Sequence, residues 1–230
     1  MLPLIDKKKL FFYLIIFILL STQIGKNEFY KKKNDYKVNQ IKVYGLSIEE
    51  NLKVSENLNF LLFKNIFFLD KDIFFDVLLK NNLIENFSIK KIYPNIISVD
   101  IKKTEFVGIT KIKNKKYYIG SNGKLIALSA EYSSTKKLPF VYKKNNYKDF
   151  INLKKIIEKS KIKFEDIESF YYFPNNRWDY KTTKGVLVKL PKKEILKSLK
   201  TVYLIESNEK FKKSKTIDLR LPNNIIISDE

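Results

Sequence analysis

The sequence contains no cysteine and no histidine. Thiolate and imidazole chemistry go with them, as do nearly all zinc, copper and haem sites, which take those groups as ligands. Only carboxylate, lysine and hydroxyl chemistry remain for an enzyme. Without cysteine nothing depends on a disulfide, so the chain is compatible with either redox compartment. Arginine is nearly absent too, with only Arg177 and Arg220 among 45 basic residues. A net charge of +20 ordinarily raises nucleic acid or anionic lipid as a partner. Here the lysines are spread along the whole chain among Asn, Ile and Phe, as biased base composition would produce, and they read as a solvated surface with no nucleic-acid partner.

What is present is enough to fold. At 230 residues, 44% apolar and 14% aromatic, the chain has room for one or two packed domains. Leu10 to Leu20 is unbroken apolar, and Ser21 to Gly25 extends the helix-compatible stretch up to Lys26. The sixteen residues 10–25 reach about 24 Å as a helix against a hydrocarbon core of about 30 Å, so local thinning and snorkelling lysines must help them span. A cleaved signal peptide needs small residues before its cut, yet no alanine occurs before Ala127, so an uncleaved transmembrane anchor is expected. Lysines flank both ends of the run, so charge decides little about orientation; residues 1–9 are expected in the cytoplasm and the long body outside the inner membrane.

Residues 26–39 read as a polar tether. From Gln40 a short strand (Ile41, Val43) ends at Gly45, and Ser47 with Glu50 forms a capping box opening a helix expected to reach about Leu62. A second helix is signalled at Asp70, with Ile73, Phe74, Val77 and Leu78 at helical spacing. Ile84 to Tyr93 and Ile96 to Lys103 alternate as strands around a turn at Pro94-Asn95. The order β-α-α-β-β over 40–104 predicts two helices on one face of a three-stranded sheet, which is the order of a POTRA domain. Over 105–230 a mixed β-sheet domain with covering helices is expected. Its signals are an Asn122-Gly123 hairpin of type I′ between Lys116 to Ile119 and Leu125 to Leu128, helices at Asp149 to Lys159 and Lys192 to Glu206, and strands at 167–173, 177–182, 186–190, 216–221 and 225–228. The fold class is α+β.

Four segments resemble the FtsQ/DivIB family, in the family's order. They are Asn65-Ile-Phe-Phe-Leu-Asp70, Ile89-Lys-Lys-Ile-Tyr-Pro-Asn95 with Ile97, Val99 and Ile101, Arg177-Trp-Asp179 followed by Gly185 and Leu190, and Ile217-Asp-Leu-Arg220. The resemblance implies a non-enzymatic divisome scaffold in the bacterial inner membrane at the septum. It would bind FtsB and FtsL-type bitopic proteins and help control septal peptidoglycan synthesis. Other division proteins could join through the POTRA half, and no cofactor or metal is called for. An alternative is a POTRA-bearing component of outer-membrane protein assembly or secretion, though too little chain remains for a barrel. An enzyme would rest on Asp70, Asp72, Asp76, Glu165, Asp166 and Asp179 as acid/base groups, but a non-catalytic reading is stronger for every one: Asp70 as a helix cap, Asp72 and Asp76 as a solvated helix face, Glu165-Asp166 as a loop or helix start.

The expected partner surface is the C-terminal edge: Ile217, Leu219, Arg220, Leu221, Asn224, Ile225, Ile226 and Ile227, with Arg177 added. A terminal apolar strand offers backbone groups to a partner strand. An arginine in a chain that otherwise chooses lysine suggests a bidentate grip on an acidic partner residue, unless Arg220 pairs within its own domain.

Overall fold

The computed structural model describes residues 7–21, 35–128, 132, 136–211, 214–221 and 224–229. The chain divides into two compact units, 1–78 with 87–101, and 79–86 with 102–230. Helix α1 is Lys7–Ser21, and apart from the half-buried Ile16 its large apolar side chains are solvent-exposed, from Ile15 at 40% to Phe17 at 73%. Fifteen residues give about 22 Å of helix, and no described helix is long and apolar enough to cross a membrane. Residues 22–25 of the expected span and 26–34 of the expected tether lie outside the described residues.

The first unit begins earlier than the sequence suggested. Val38 is already fully buried, its N–H donating to the Lys64 carbonyl at 2.9 Å and its own carbonyl accepting from Phe63 at 2.8 Å. Strand β1 (Gln40–Tyr44) then leads through Gly45 to helix α2 (Ile48–Asn57), whose capping box forms as read: Ser47 Oγ accepts from the Glu50 N–H, and the Glu50 carboxylate from that of Ser47. The helix stops at Asn57 rather than near Leu62. Leu58 turns into the core, a 3₁₀ turn takes Asn59–Leu61, and Phe63 sits at φ 64°, a conformation no helix continues through. Helix α3 (Lys71–Leu78) buries Phe74 and Leu78. Strands β2 (Ile84–Ile92) and β3 (Ile96–Lys103) are joined by the turn at Tyr93-Pro94-Asn95, whose Tyr93–Pro94 bond is cis. The sheet order is β1-β3-β2, with β1 parallel to the central β3.

The second unit holds a nine-stranded mixed sheet in the order β12-β11-β10-β9-β8-β7-β4-β5-β6. Its strands are β4 (Phe106–Ile112), β5 (Lys115–Gly120), β6 (Leu125–Ala127), β7 (Phe140–Tyr142), β8 (Ile167–Phe173), β9 (Arg177–Thr182), β10 (Leu187–Lys189), β11 (Thr216–Asp218) and β12 (Ile226–Ser228). Strand β7 lies parallel to both β4 and β8, and β10 to β11; the other pairings are antiparallel.

Two strands escaped the sequence reading. β4 pairs with β5 across a two-residue loop, Lys113-Asn114, with φ of 46° and 67°. Left-handed dihedrals at both central residues are what a type I′ hairpin demands, and a Lys-Asn pair hides that signal. The expected type I′ turn at Asn122-Gly123 is instead a four-residue loop, Ser121 to Lys124, in which only Gly123 has positive φ and Asn122 accepts from the Lys124 N–H. Strand β7 is three residues long with no turn signal of its own, too short for periodicity to register.

Helices α4 (Lys148–Glu158) and α5 (Ile195–Glu206) cover one face of this sheet. Phe150, Leu153 and Ile157 from α4 and Leu199, Val202 and Ile205 from α5 share a core with Ile119, Val141, Phe170, Trp178, Tyr180, Val188 and Ile217. Helix α5 starts three residues later than its apolar pattern suggested, because Glu194 adopts φ 57° at its N-cap.

Candidate functional site: the C-terminal sheet edge

Alternation along a strand sends successive side chains to opposite faces. In β9 this directs Trp178 and Tyr180 to the helix-covered core and Arg177 and Asp179 to the other face; in β11 it directs Ile217 to the core and Asp218 away. The pairing registers align Tyr171, Asp179, Lys189, Asp218 and Ile226 in one row across β8 to β12 on that second face. Both arginines of the chain pair with carboxylates of this row. Arg177 Nε lies 3.3 Å from Asp179 Oδ1, with its guanidinium 4.3 Å over the Phe173 ring. Arg220 grips Asp218 with Nε at 2.8 and 2.9 Å from the two carboxylate oxygens, reinforced by Nη2, and the Asp218 Oδ1 also accepts from the Arg220 backbone N–H at 3.0 Å.

The fork of Arg220 is therefore used inside the domain, which corrects the expectation that it waits for an acidic partner residue. The signal was in the sequence: Arg177-x-Asp179 and Asp218-x-Arg220 each place opposite charges two apart, hence on one face of a strand. Planar guanidinium groups suit both sites, because one must bind bidentately and the other stack on an aromatic ring. The Arg220 fork holds the Asp218 carboxyl below the usual carboxylate range, helped by Lys189 nearby. Burial pushes Asp179 up, opposed by Arg177 and more weakly by Arg220.

Beyond this row the sheet ends at β12. It pairs with β11 on its inner side, and among the described residues no strand lies beyond it. Of the residues expected at the partner surface, Ile217 (1% exposed) and Leu219 (7%) belong to the core, Leu219 reaching the surface only where it lines a groove. Arg220, Leu221, Asn224, Ile225 and Ile226 are exposed, Ile227 is half-buried against the core, and Arg177 is half-buried beside Asp179. The groove, of about 520 Å³, runs along this corner, lined by Leu219, Arg220, Leu221, Asn224 and Ile225 on one side and by Lys192, Lys193, Glu194 and Lys197 at the start of α5 on the other, with Glu194 3.7 Å from Lys197. The basic wall was not anticipated: these lysines had been read only as part of a helix.

Three of the remaining acidic candidates sit at element starts. Asp70 accepts from the Asp72 N–H at the start of α3, and Glu165 and Asp166 lie in a 3₁₀ turn before β8. Tyr180 is fully buried and its phenol is raised far above its ordinary value by burial, with Glu206 adding to the effect; a phenol in the core reaches no substrate. Among the described residues no three acidic side chains converge as a metal site.

The model of the C-terminal domain of the cell division protein FtsQ/DivIB matches residues 108–220. Residues 108–220 therefore carry the C-terminal domain of the FtsQ/DivIB family. It is a domain of cell division proteins. The match runs from β4 to Arg220, the anchor of the edge just described. No curated protein sequence matches the chain.

Proposed function

We propose that this protein is a non-enzymatic FtsQ/DivIB scaffold of the divisome, held in the bacterial inner membrane by residues 10–25 with its body outside. Residues 40–104 act as a POTRA domain and the unit that follows recruits FtsB and FtsL-type bitopic partners, linking them to septal wall synthesis. The observation that carries this reading is the outer edge of β12, where Ile225 and Ile226 stand 48% and 52% exposed at the end of a nine-stranded sheet. Backbone groups along such an edge template another strand, and large apolar side chains beside them supply the affinity. A partner strand laid there would run past Lys192, Lys193 and Lys197, so acidic residues in it are favoured.

The test is recovery of an FtsB-type partner from solubilised membranes by the tagged full chain and by its Ile226→Lys form. Retention by the parent chain and loss in the variant supports the reading. Equal recovery by both places the interface elsewhere.

A further inference from the structure

The first unit carries a second unexplained apolar surface, at the point where the chain enters it. Within residues 60–68 four phenylalanines are exposed: Phe60 at 45%, Phe63 at 75%, Phe67 at 52% and Phe68 at 86%. Phe67 stacks at 5.0 Å on Tyr93 and packs at 5.1 Å against Tyr36, themselves 55% and 38% exposed. Rings of this size on a soluble surface mark a contact site, particularly when they cluster.

The loop is held in this state. Phe63 keeps φ 64°, a conformation that bulky residues avoid, and its N–H is bonded to Val38. Lys37 and Asn65 form an antiparallel bridge, and the Ile66 N–H donates to the Tyr36 carbonyl at 2.9 Å. Lys91 reaches over from β2 to donate to the Phe67 and Leu69 carbonyls at 3.4 and 2.9 Å. The rings are thus presented on a backbone fixed by residues 36–38.

Those same residues open the first unit, and the sequence supplies the occupant. Thirteen residues separate Ser21, the end of α1, from Asp35, a contour of at most about 45 Å. Along it stand Phe29, Tyr30 and Lys31 to Lys33, the aromatic and basic mixture that settles at a lipid headgroup layer. We propose that the aromatic loop 60–68, with Tyr36 and Tyr93, rests on the bilayer surface, its phenylalanines entering the headgroup region. This rests on the reading of residues 10–25 as a membrane segment. Aromatic rings and lysine stems are the side chains that partition to this interface, while the loop's own backbone bonds stay satisfied. The first unit is then fixed against the membrane by a second contact in addition to its anchor.

The absence of native cysteine makes the test clean. Phe63→Cys and Phe68→Cys, both at exposed positions, are each spin-labelled in the full chain and reconstituted into phosphatidylcholine–phosphatidylglycerol vesicles. Relaxation by oxygen, which partitions into lipid, is compared with relaxation by an aqueous nickel chelate, and carbonate-resistant flotation is read on the same vesicles. Labels relaxed by oxygen and shielded from nickel are the expected result. Labels open to nickel on vesicles that keep the protein through carbonate overturn the surface contact and leave the anchor standing. Protein stripped by carbonate sinks the anchor reading, while the relaxation measured before stripping still decides the surface contact. Dipolar broadening between labels would show that the loop meets a second copy of the chain and would likewise overturn the proposal.

Discussion

The two sheets of this protein end in different ways. In the first unit the outer strands carry charge along their length: Lys42 within β1, and Glu85, Lys90 and Lys91 within β2. Charge on an edge strand discourages a stray partner. In the second unit β6 buries Ile126, half-buries Leu125 against the core and leaves only Ala127 exposed, and the Leu125 carbonyl accepts from the Asn82 side chain at 2.9 Å. Strand β12 has none of these protections, since it reads Ile-Ile-Ser, follows the exposed Ile225, and among the described residues has no strand on its outer side. Three edges are blunted and one is left apolar, which is the pattern expected where an edge is used.

Gly45→Ala should give the largest effect, by breaking one of the protected edges. Gly45 follows β1 at φ 105°, and an added Cβ would lie 1.8 Å from the Ile101 carbonyl oxygen of central β3. Forcing that contact unseats β1 and should cost about 4 kcal/mol or more, enough to unfold the first unit. Urea denaturation followed by hydrogen exchange should lose protection over 40–44, and full retention would show the β1–β3 approach to be looser than described.

Arg220→Lys sharpens the comparison at the open edge. It keeps the charge but loses the two-toothed grip on Asp218 that fixes the corner before β12, so the second unit should lose about 1 to 2 kcal/mol in thermal unfolding. An unchanged melting temperature would mean that the fork adds nothing to the corner.

Asp218→Asn should act through pH. The Asp218 carboxyl titrates below its unfolded value, so its stabilising effect is fully present above about pH 4 and disappears as the pH falls through the folded pKa. The parent chain should therefore lose stability between about pH 5 and pH 2 more steeply than the variant. Parallel acid-unfolding curves would contradict the ion pair. Asp179, raised by burial, contributes in the opposite sense, becoming less unfavourable as it protonates, so the two carboxylates of one row partly cancel.

The smallest effect on stability belongs to Ile226→Lys. At 52% exposed the side chain has little packing to lose, and the change should stay within about 0.5 kcal/mol. A loss well above that would show that Ile226 belongs to the core rather than to a surface.

How much of this was legible in the sequence follows the range of the contacts. The first unit was read nearly element by element, because its signals are local: the Ser47–Glu50 capping box, the helical spacing of Phe74 and Leu78, and the turn at Pro94-Asn95 each declare themselves within a few residues. In the second unit the helices and β8 to β10 were legible for the same reason. The two missed strands are members of the long-range pairing of β4, β7 and β8, where Ile109 meets Phe140 and Phe140 meets Ser169. Three residues of β7 become a strand only because their neighbours exist. The C-terminal run 225–228 was read as a strand and the structure has β12 at Ile226–Ser228, whereas the partner of Arg220 was sought outside the chain when Asp218 lay two residues upstream. Burial of Ile217 and Leu219 follows from the strand alternation that also exposes Arg220, and applying that period would have removed both from the surface.

The central claim is that β12 accepts a strand, and the cysteine-free chain allows it to be measured by register. Ile226→Cys in the full chain is paired with single cysteines placed at successive positions through the bound segment of an FtsB-type partner, and disulfide formation is scored in membranes. Strand addition predicts cross-linking that rises and falls with a period of two residues, since alternate side chains of an added strand face the same side. A period of three to four residues, or uniform background at every position, would show that the partner does not add a strand to this edge.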